Sequence, residues 1–171
     1  MKHLRFRRIV GQHKDRIYTQ AYYFLGSHDE AEDVTQEVLL KIWERIDEFP
    51  REHTTAWIMK VTRNRCIDHV RRRQKTVRLS DVEDGEESPE DRLEAVSDPE
   101  AEAEQSEMQR RVEREIRKLP EPLRNVILLR EIQGLKYEEV ARAMNIPLNS
   151  VKVYLYRGRR ILREKLSFLL E

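Results

Sequence analysis

Apolar residues along this chain recur three and four positions apart, and no sustained stretch alternates apolar with polar. That spacing marks amphipathic helices with one buried face. Gly26, Pro50, Pro89, Pro99, Pro120, Pro122, Gly134 and Pro147 mark breaks between the periodic segments. The pattern predicts an all-α protein. A first helix spans about Leu4–Leu25 and stops at Gly26. A second begins after Ser27, with Glu30 placed for a capping box, and runs to about Asp47. A third covers about Thr54–Lys75. Helices resume at about Glu107–Lys118, Glu121–Gln133, Tyr137–Met144 and Ser150–Leu170.

The last two helices carry the sharpest functional signal. Tyr137, Val140, Ala141 and Met144 form a buried stripe at i, i+3, i+4 and i+7. The short break Asn145-Ile-Pro-Leu-Asn149 then leads into a second helix, which predicts a helix-turn-helix. Val151, Leu155, Gly158, Leu162 and Leu166 share the inward side of that helix at about 100° per residue. Gly158 leaves room for close approach of a neighbouring helix. Asn149, Val153, Tyr156, Arg157 and Arg160 share the outward side, with Lys152 and Arg163 flanking. Arginines suit guanine edges and phosphates, the first turn of a recognition helix enters the major groove, and Val153 suits a thymine methyl. A solvated basic face would also carry Arg and Lys; the preceding helix and tight turn favour DNA reading.

The second helix turns Ala31, Val34, Val38, Ile42 and Ile46 inward. Its other face carries Asp33, Gln36, Glu37, Leu40 and Glu44. This pattern fits a protein-docking stripe with one apolar anchor. It fits equally a helix start that favours acids and bears one exposed leucine. The third helix is apolar on two sides: Ala56, Met59, Cys66, Ile67 and Val70 on one, Trp57 and Val61 with Asn64 and Asp68 on the other. Such a helix is packed twice, or packed once and offered to a ligand. It ends in Arg71-Arg72-Arg73-Gln74-Lys75 and Arg78, a cluster suited to phosphates. Trp57 fits a core position or a base-stacking platform, and Asn64 is placed to read an exposed base edge.

Charge divides the chain. Its formal net charge is +1, yet residues 1–78 carry 17 Lys and Arg against 11 Asp and Glu, a balance of +6. Residues 79–107 carry 1 against 13, or −12, and residues 108–171 carry 15 against 8, or +7. Two basic modules of 78 and 64 residues joined by an acidic strap of 29 are the architecture this predicts. Low in aromatics and broken by prolines, the strap is expected to be largely disordered in isolation. It spans up to ~95 Å extended. A single cysteine excludes an intramolecular disulfide and a multi-cysteine zinc site. The absence of a long apolar run or an apolar N-terminal stretch fits a cytoplasmic protein. No phosphate-binding glycine loop or paired-carboxylate constellation supports an enzyme, and no cofactor, metal or small-molecule substrate is expected.

These stretches together resemble the extracytoplasmic-function (group 4) sigma factors of bacterial RNA polymerase, in the sigma-70 superfamily. Phe24-Leu-Gly-Ser-His-Asp-Glu-Ala-Glu-Asp-Val-Thr-Gln-Glu-Val38 and Trp43 resemble regions 2.1–2.2. Thr55-Ala-Trp-Ile-Met-Lys-Val-Thr-Arg-Asn-Arg-Cys-Ile-Asp-His-Val-Arg-Arg72 resembles regions 2.3–2.4. Leu119-Pro-Glu-Pro-Leu-Arg124, Gly134-Leu-Lys-Tyr-Glu-Glu-Val-Ala141 and Val151-Lys152 resemble region 4. The resemblance implies a promoter-specificity subunit without enzymatic activity of its own. Asp33, Gln36, Glu37, Leu40 and Glu44 fall where the family docks on the β′ clamp helices of core polymerase. Pro50, Arg51, His53, Thr54, Asn64, Arg65, Arg71, Arg72 and Arg73 fall where it captures the minus-10 element. Asn149, Ser150, Lys152, Val153, Tyr156, Arg157 and Arg160 fall on the minus-35 reading helix. Further implied partners are the polymerase β flap, promoter DNA and a membrane-linked anti-sigma factor.

The chain departs from the family pattern at Lys136, where a capping serine is usual, at Asn149-Ser150 for Gly-Thr, and at Val153-Tyr154 for Ser-Arg. The minus-35 preference of relatives therefore does not transfer. A helix-turn-helix regulator that binds duplex DNA without polymerase is the competing expectation; it needs no acid-framed docking face.

Overall fold

The computed structural model describes residues 1–48, 51–80 and 106–167. Helix α1 (Lys2–Leu25) ends at Gly26, whose φ of 71° only glycine adopts without strain and whose N–H bonds the Tyr22 carbonyl at 2.7 Å. Ser27 then caps α2 (His28–Arg45) by accepting the Glu30 N–H at 3.3 Å. The expected capping box is realised in this half. The Glu30 carboxylate accepts instead from Arg73 Nε at 2.7 Å, a bond in which donor and acceptor are both charged. Ala31, Val34, Val38, Ile42 and Ile46 are all fully buried, as their spacing predicts. Helix α3 (Thr54–Ser80) outruns the expected end at Lys75, because no glycine or proline interrupts the chain before Gly85.

Ser106 caps α4 (Glu107–Lys118), accepting the Gln109 N–H at 3.2 Å. Helices α3 and α4 thus reach into the segment that charge alone assigned to the strap; its residues 81–105 lie outside the described ones. After Pro120, α5 (Glu121–Ile127) passes into a π turn (Leu128–Ile132) in which the Gln133 N–H reaches back five residues to Leu128 at 3.0 Å. Helix α6 (Tyr137–Met144) ends at Asn145, a left-handed residue with φ 53°. Helix α7 (Leu148–Leu166) starts two residues before the expected Ser150, directly after Pro147, whose fixed φ suits a helix entry. Its expected end at Leu170 falls outside the described residues.

Helices α1, α2 and α3 pack on one another, and α7 packs on both α5 and α6. The two groups also meet: α4 and the π turn lie against α1, and α6 lies against α3. Their buried aliphatic residues form one continuous core running from Ile9 and Ile17 through Ile58 and Met59 to Leu128, Val151 and Leu155. Among the described residues there is no strand.

Candidate nucleic-acid interface

Helix α7 is oriented by what it buries. Val151 and Leu155 are sealed in the core, and Leu162 and Leu166 are half-buried. At Gly158 a Cβ would lie 2.9 Å from Ile127 Cγ1, so the missing side chain sets how closely α5 and α7 approach. Helix α6 crosses beneath through Val140, Ala143 and Met144, with Tyr137 and Ala141 half-buried. The turn between them is closed by the Ile146 N–H on the Ala141 carbonyl at 3.1 Å. The opposite side of α7 is therefore forced outward. Asn149, Lys152, Val153, Tyr156, Arg157 and Arg160 are exposed, and Ser150 is half-buried. Val153 is 44% and Tyr156 68% accessible, so an aliphatic and an aromatic group stand among the cations of this face.

The charges on this helix are sorted. Arg159 donates from Nε to Glu131 Oε1 at 2.6 Å, and that hydrogen bond raises its pKa. Lys152, Arg157 and Arg160 have no ion-pair partner among the described residues. One arginine braces the helix on the π turn, and the other cations project together toward solvent.

On α2, Asp33, Gln36, Leu40 and Glu44 are exposed in one line, with Leu40 64% accessible. Glu37 differs. It is half-buried against α3, with Oε1 3.1 Å from His69 Nε2 and Oε2 3.8 Å from Arg65 Nε. The stripe read from the sequence is thus four outward residues and one that ties α2 to α3.

The residues assigned to minus-10 capture divide in the same way. Arg51, Asn64, Arg71 and Arg72 are exposed, whereas Thr54 and His53 are half-buried. The Thr54 hydroxyl donates to the Arg51 carbonyl at 3.2 Å. Arg65 faces Glu37. Arg73 is committed within the chain, to Glu30 and, at 3.1 Å, to the Leu25 carbonyl. Burial, with Arg117 nearby, lowers its pKa. Pro50 lies outside the described residues. The second apolar side of α3, left open between core and ligand platform, is half-buried at Trp57 and Val61, and α6 packs against the helix.

Several functional neighbours carry no signal in the sequence. Arg142 on α6 places Nη1 2.6 Å from Nδ1 of His53. His13 on α1 is buried, bridging the Ile9 carbonyl through Nδ1 at 3.2 Å and the Thr55 hydroxyl through Nε2 at 3.0 Å. Burial pushes its pKa down, so it holds the start of α3 as a neutral ring. Cys66 is fully buried, burial pushes its thiol pKa up, and His69 one turn on is engaged by Glu37.

An exposed cationic helix in a helix-turn-helix, with an acid-framed stripe on a separate helix group, is an arrangement suited to a DNA-binding protein. Residues 9–76 match the family model "Sigma-70 region 2", and residues 109–162 match "Sigma-70, region 4". The ECF RNA polymerase sigma factor SigW of Bacillus subtilis is 34% identical over 168 residues, covering 96% of this chain and 90% of the relative. The ECF sigma-E factor of Escherichia coli K12 is 28% identical over 169 residues, covering 96% and 88%. The chain belongs to the ECF sigma factors of RNA polymerase, which direct transcription initiation at specific promoters. Among solved structures, the sigma factor RpoE of Bartonella quintana, crystallised with the anti-sigma factor NepR, has the same fold. Its TM-score is 0.76 at 24% identity, covering 95% of this chain and 96% of that one. CnrH, solved with the cytosolic domain of CnrY, aligns with a TM-score of 0.69 at 20% identity. No described helix is long and apolar enough to cross a membrane.

Proposed function

We propose that residues 1–78 dock on core polymerase and capture the minus-10 element, that residues 108–171 read minus-35, and that residues 79–107 link them. In this reading Asp33, Gln36, Leu40 and Glu44 meet the β′ clamp helices, and Glu37 supports them from its bridge to α3. Arg51, His53, Thr54, Asn64, Arg71 and Arg72 hold the opened strand. Asn149, Lys152, Val153, Tyr156, Arg157 and Arg160 enter the minus-35 major groove, with Ser150 at its edge. The second half also meets the β flap. The polymerase supplies the chemistry, and this chain supplies the address without catalysis of its own. It acts in the cytoplasm, and an anti-sigma factor that covers these surfaces is its expected antagonist, by likeness to RpoE bound to NepR.

The observation that carries the reading is the sorting of charge on α7: Arg159 is neutralised by Glu131, while Arg157 and Arg160 have no carboxylate partner among the described residues. The test is promoter binding and run-off transcription with purified core enzyme. Arg157→Ala or Arg160→Ala should weaken promoter binding by ~1–3 kcal/mol where the arginine reads a base, or lower the salt slope by about 1 where it reads a phosphate. Leu40→Ala should weaken core-enzyme association with the fold intact. Unchanged affinity and salt slope in both arginine variants would remove α7 from the interface; normal holoenzyme assembly by Leu40→Ala would remove the stripe.

A further inference from the structure

Helix α1 changes what it shows to solvent halfway along. Toward its C-terminal end the outward side is occupied: Tyr18 and Tyr22 are half-buried, and Tyr22 stacks on His28 with ring centroids 4.6 Å apart. The N-terminal half is uncovered. Leu4, Arg7, Arg8, Gly11, Gln12 and Lys14 are all exposed, and at about 100° per residue they share one broad outward side. The first fourteen residues hold five cations, Lys2, Arg5, Arg7, Arg8 and Lys14, and no Asp or Glu. The helix itself disfavours cations at its start, where the dipole is positive, and no acid sits in the first turn to offset them. Nor does the fold use them all: Arg7, Arg8 and Lys14 have no ion-pair partner among the described residues.

Gly11 stands in the middle of these side chains. A glycine weakens a helix interior, yet a Cβ on Gly11 would meet nothing within 4 Å, so no neighbour in this chain requires the side chain to be missing. Its absence instead leaves the helix backbone bare to a close approach from outside. The same face runs into a cleft of about 730 Å³, where Leu4, Arg5, Arg8 and Gln12 stand beside Arg51 and Thr54 of the loop that opens α3. The proposed function puts the captured minus-10 base at that loop. The carboxylates of the cleft, Asp47, Glu52 and Glu139, all come from outside α1, so a phosphate is favoured only along the α1 side. From Arg7 to Lys14 the face is ~10 Å long, the rise of about three nucleotides at ~3.4 Å each. An acidic protein surface also attracts cations, but protein interfaces bury an apolar centre. Here Leu4, in the first turn, is the apolar edge of a face whose middle is Arg7, Arg8, Gly11 and Gln12.

We propose that this face of α1 grips the sugar–phosphate backbone of the opened promoter strand beside the captured minus-10 base. The inference rests on the functional reading above and adds to it a contact that reads no sequence. Arg7, Arg8 and Lys14 each neutralise a phosphate, and Gly11 lets the strand come close. The base-capturing loop fixes which phosphates arrive. Three such contacts steepen the salt dependence of strand binding by about 2 in log–log slope, at ~0.7 per single-strand phosphate. The strand is then held by base and backbone together, and reannealing has to break both.

The test uses the full chain assembled with core enzyme and a forked promoter fragment whose single-stranded arm carries the minus-10 element and its flanks. Arg7→Gln, Arg8→Gln and Lys14→Gln together, all at exposed positions, should weaken fork binding severalfold and lower the salt slope by about 2, whatever bases flank the element. Uncharged methylphosphonate linkages should weaken the wild type at particular flanking positions and leave the triple variant indifferent there. Gly11→Ala should raise Tm, through helix propensity at an open site, and yet weaken fork binding, a pair of opposite signs that a merely structural glycine does not produce. Duplex minus-35 binding and core-enzyme association should match the wild type. Unchanged fork affinity and salt slope in the triple variant overturn the proposal. So does weakened core-enzyme association with the fork slope intact, which assigns the face to an acidic protein surface. Failure of the functional reading is separate: the wild type would then not associate with core enzyme, or its holoenzyme would not bind the fork.

Discussion

At Gly158 the absence of one carbon decides how two helices meet. An added Cβ would fall 2.9 Å from Ile127 Cγ1 and 3.1 Å from Cδ1, and Ile127 is itself only 2% exposed. Alanine gains ~1 kcal/mol of helix propensity over glycine, but overpacking of a closed core costs ~1–3 kcal/mol. Gly158→Ala should lower stability by a net ~1 kcal/mol, read as a lower urea midpoint, and an unchanged or higher midpoint would mean that Ile127 yields. The same variant should tilt α7 and weaken minus-35 binding more than stability alone explains. The need for a small residue here was legible from the helical stripe alone. Arg73 was not: a basic cluster names its members alike, and only the fold separates the arginine bound to Glu30 from Arg71 and Arg72, which face solvent.

Among the elements, α6 begins on an incomplete cap. Glu139 accepts the Lys136 N–H at 2.8 Å, whereas a lysine ammonium has no lone pair with which to accept the Glu139 N–H. Lys136→Ser should supply the missing half and raise stability by ~0.5–2 kcal/mol, read as a higher Tm. No change would show that the side chain of Lys136 contributes an equal amount elsewhere. Element identity was largely open to a reader of the sequence, because 3.6-residue periodicity and the proline and glycine stops are local signals. Helix α3 shows where that reading stops. Its two apolar sides were visible, but its packing against α6, from the other end of the chain, was not. The Arg16–Gln133 contact spans 117 residues and leaves no periodic trace. The π turn was equally hidden, since one extra residue in a turn has no compositional mark.

For the molecule as a whole, acid is expected to strengthen one part of the packing. Glu113 on α4 is 2% exposed, and burial raises its pKa despite Arg117, Gln109, His28 and Arg110 around it. It in turn raises that of Tyr23 on α1, after burial. A carboxyl with a raised native pKa stabilises below its unfolded value and loses that contribution as pH climbs through the native one. Glu113→Gln should therefore raise Tm at pH 7, with the advantage over wild type shrinking as pH falls through the native pKa of Glu113. A constant difference across pH would show that Glu113 does not titrate in that range. The sealed sulfur of Cys66 has a different consequence for the whole chain. With the only native thiol walled in on α3 and held protonated by burial, maleimides and disulfide reagents find no accessible thiol while the packing stands. Slow modification of the wild type is thus a clock for how often the interior comes apart.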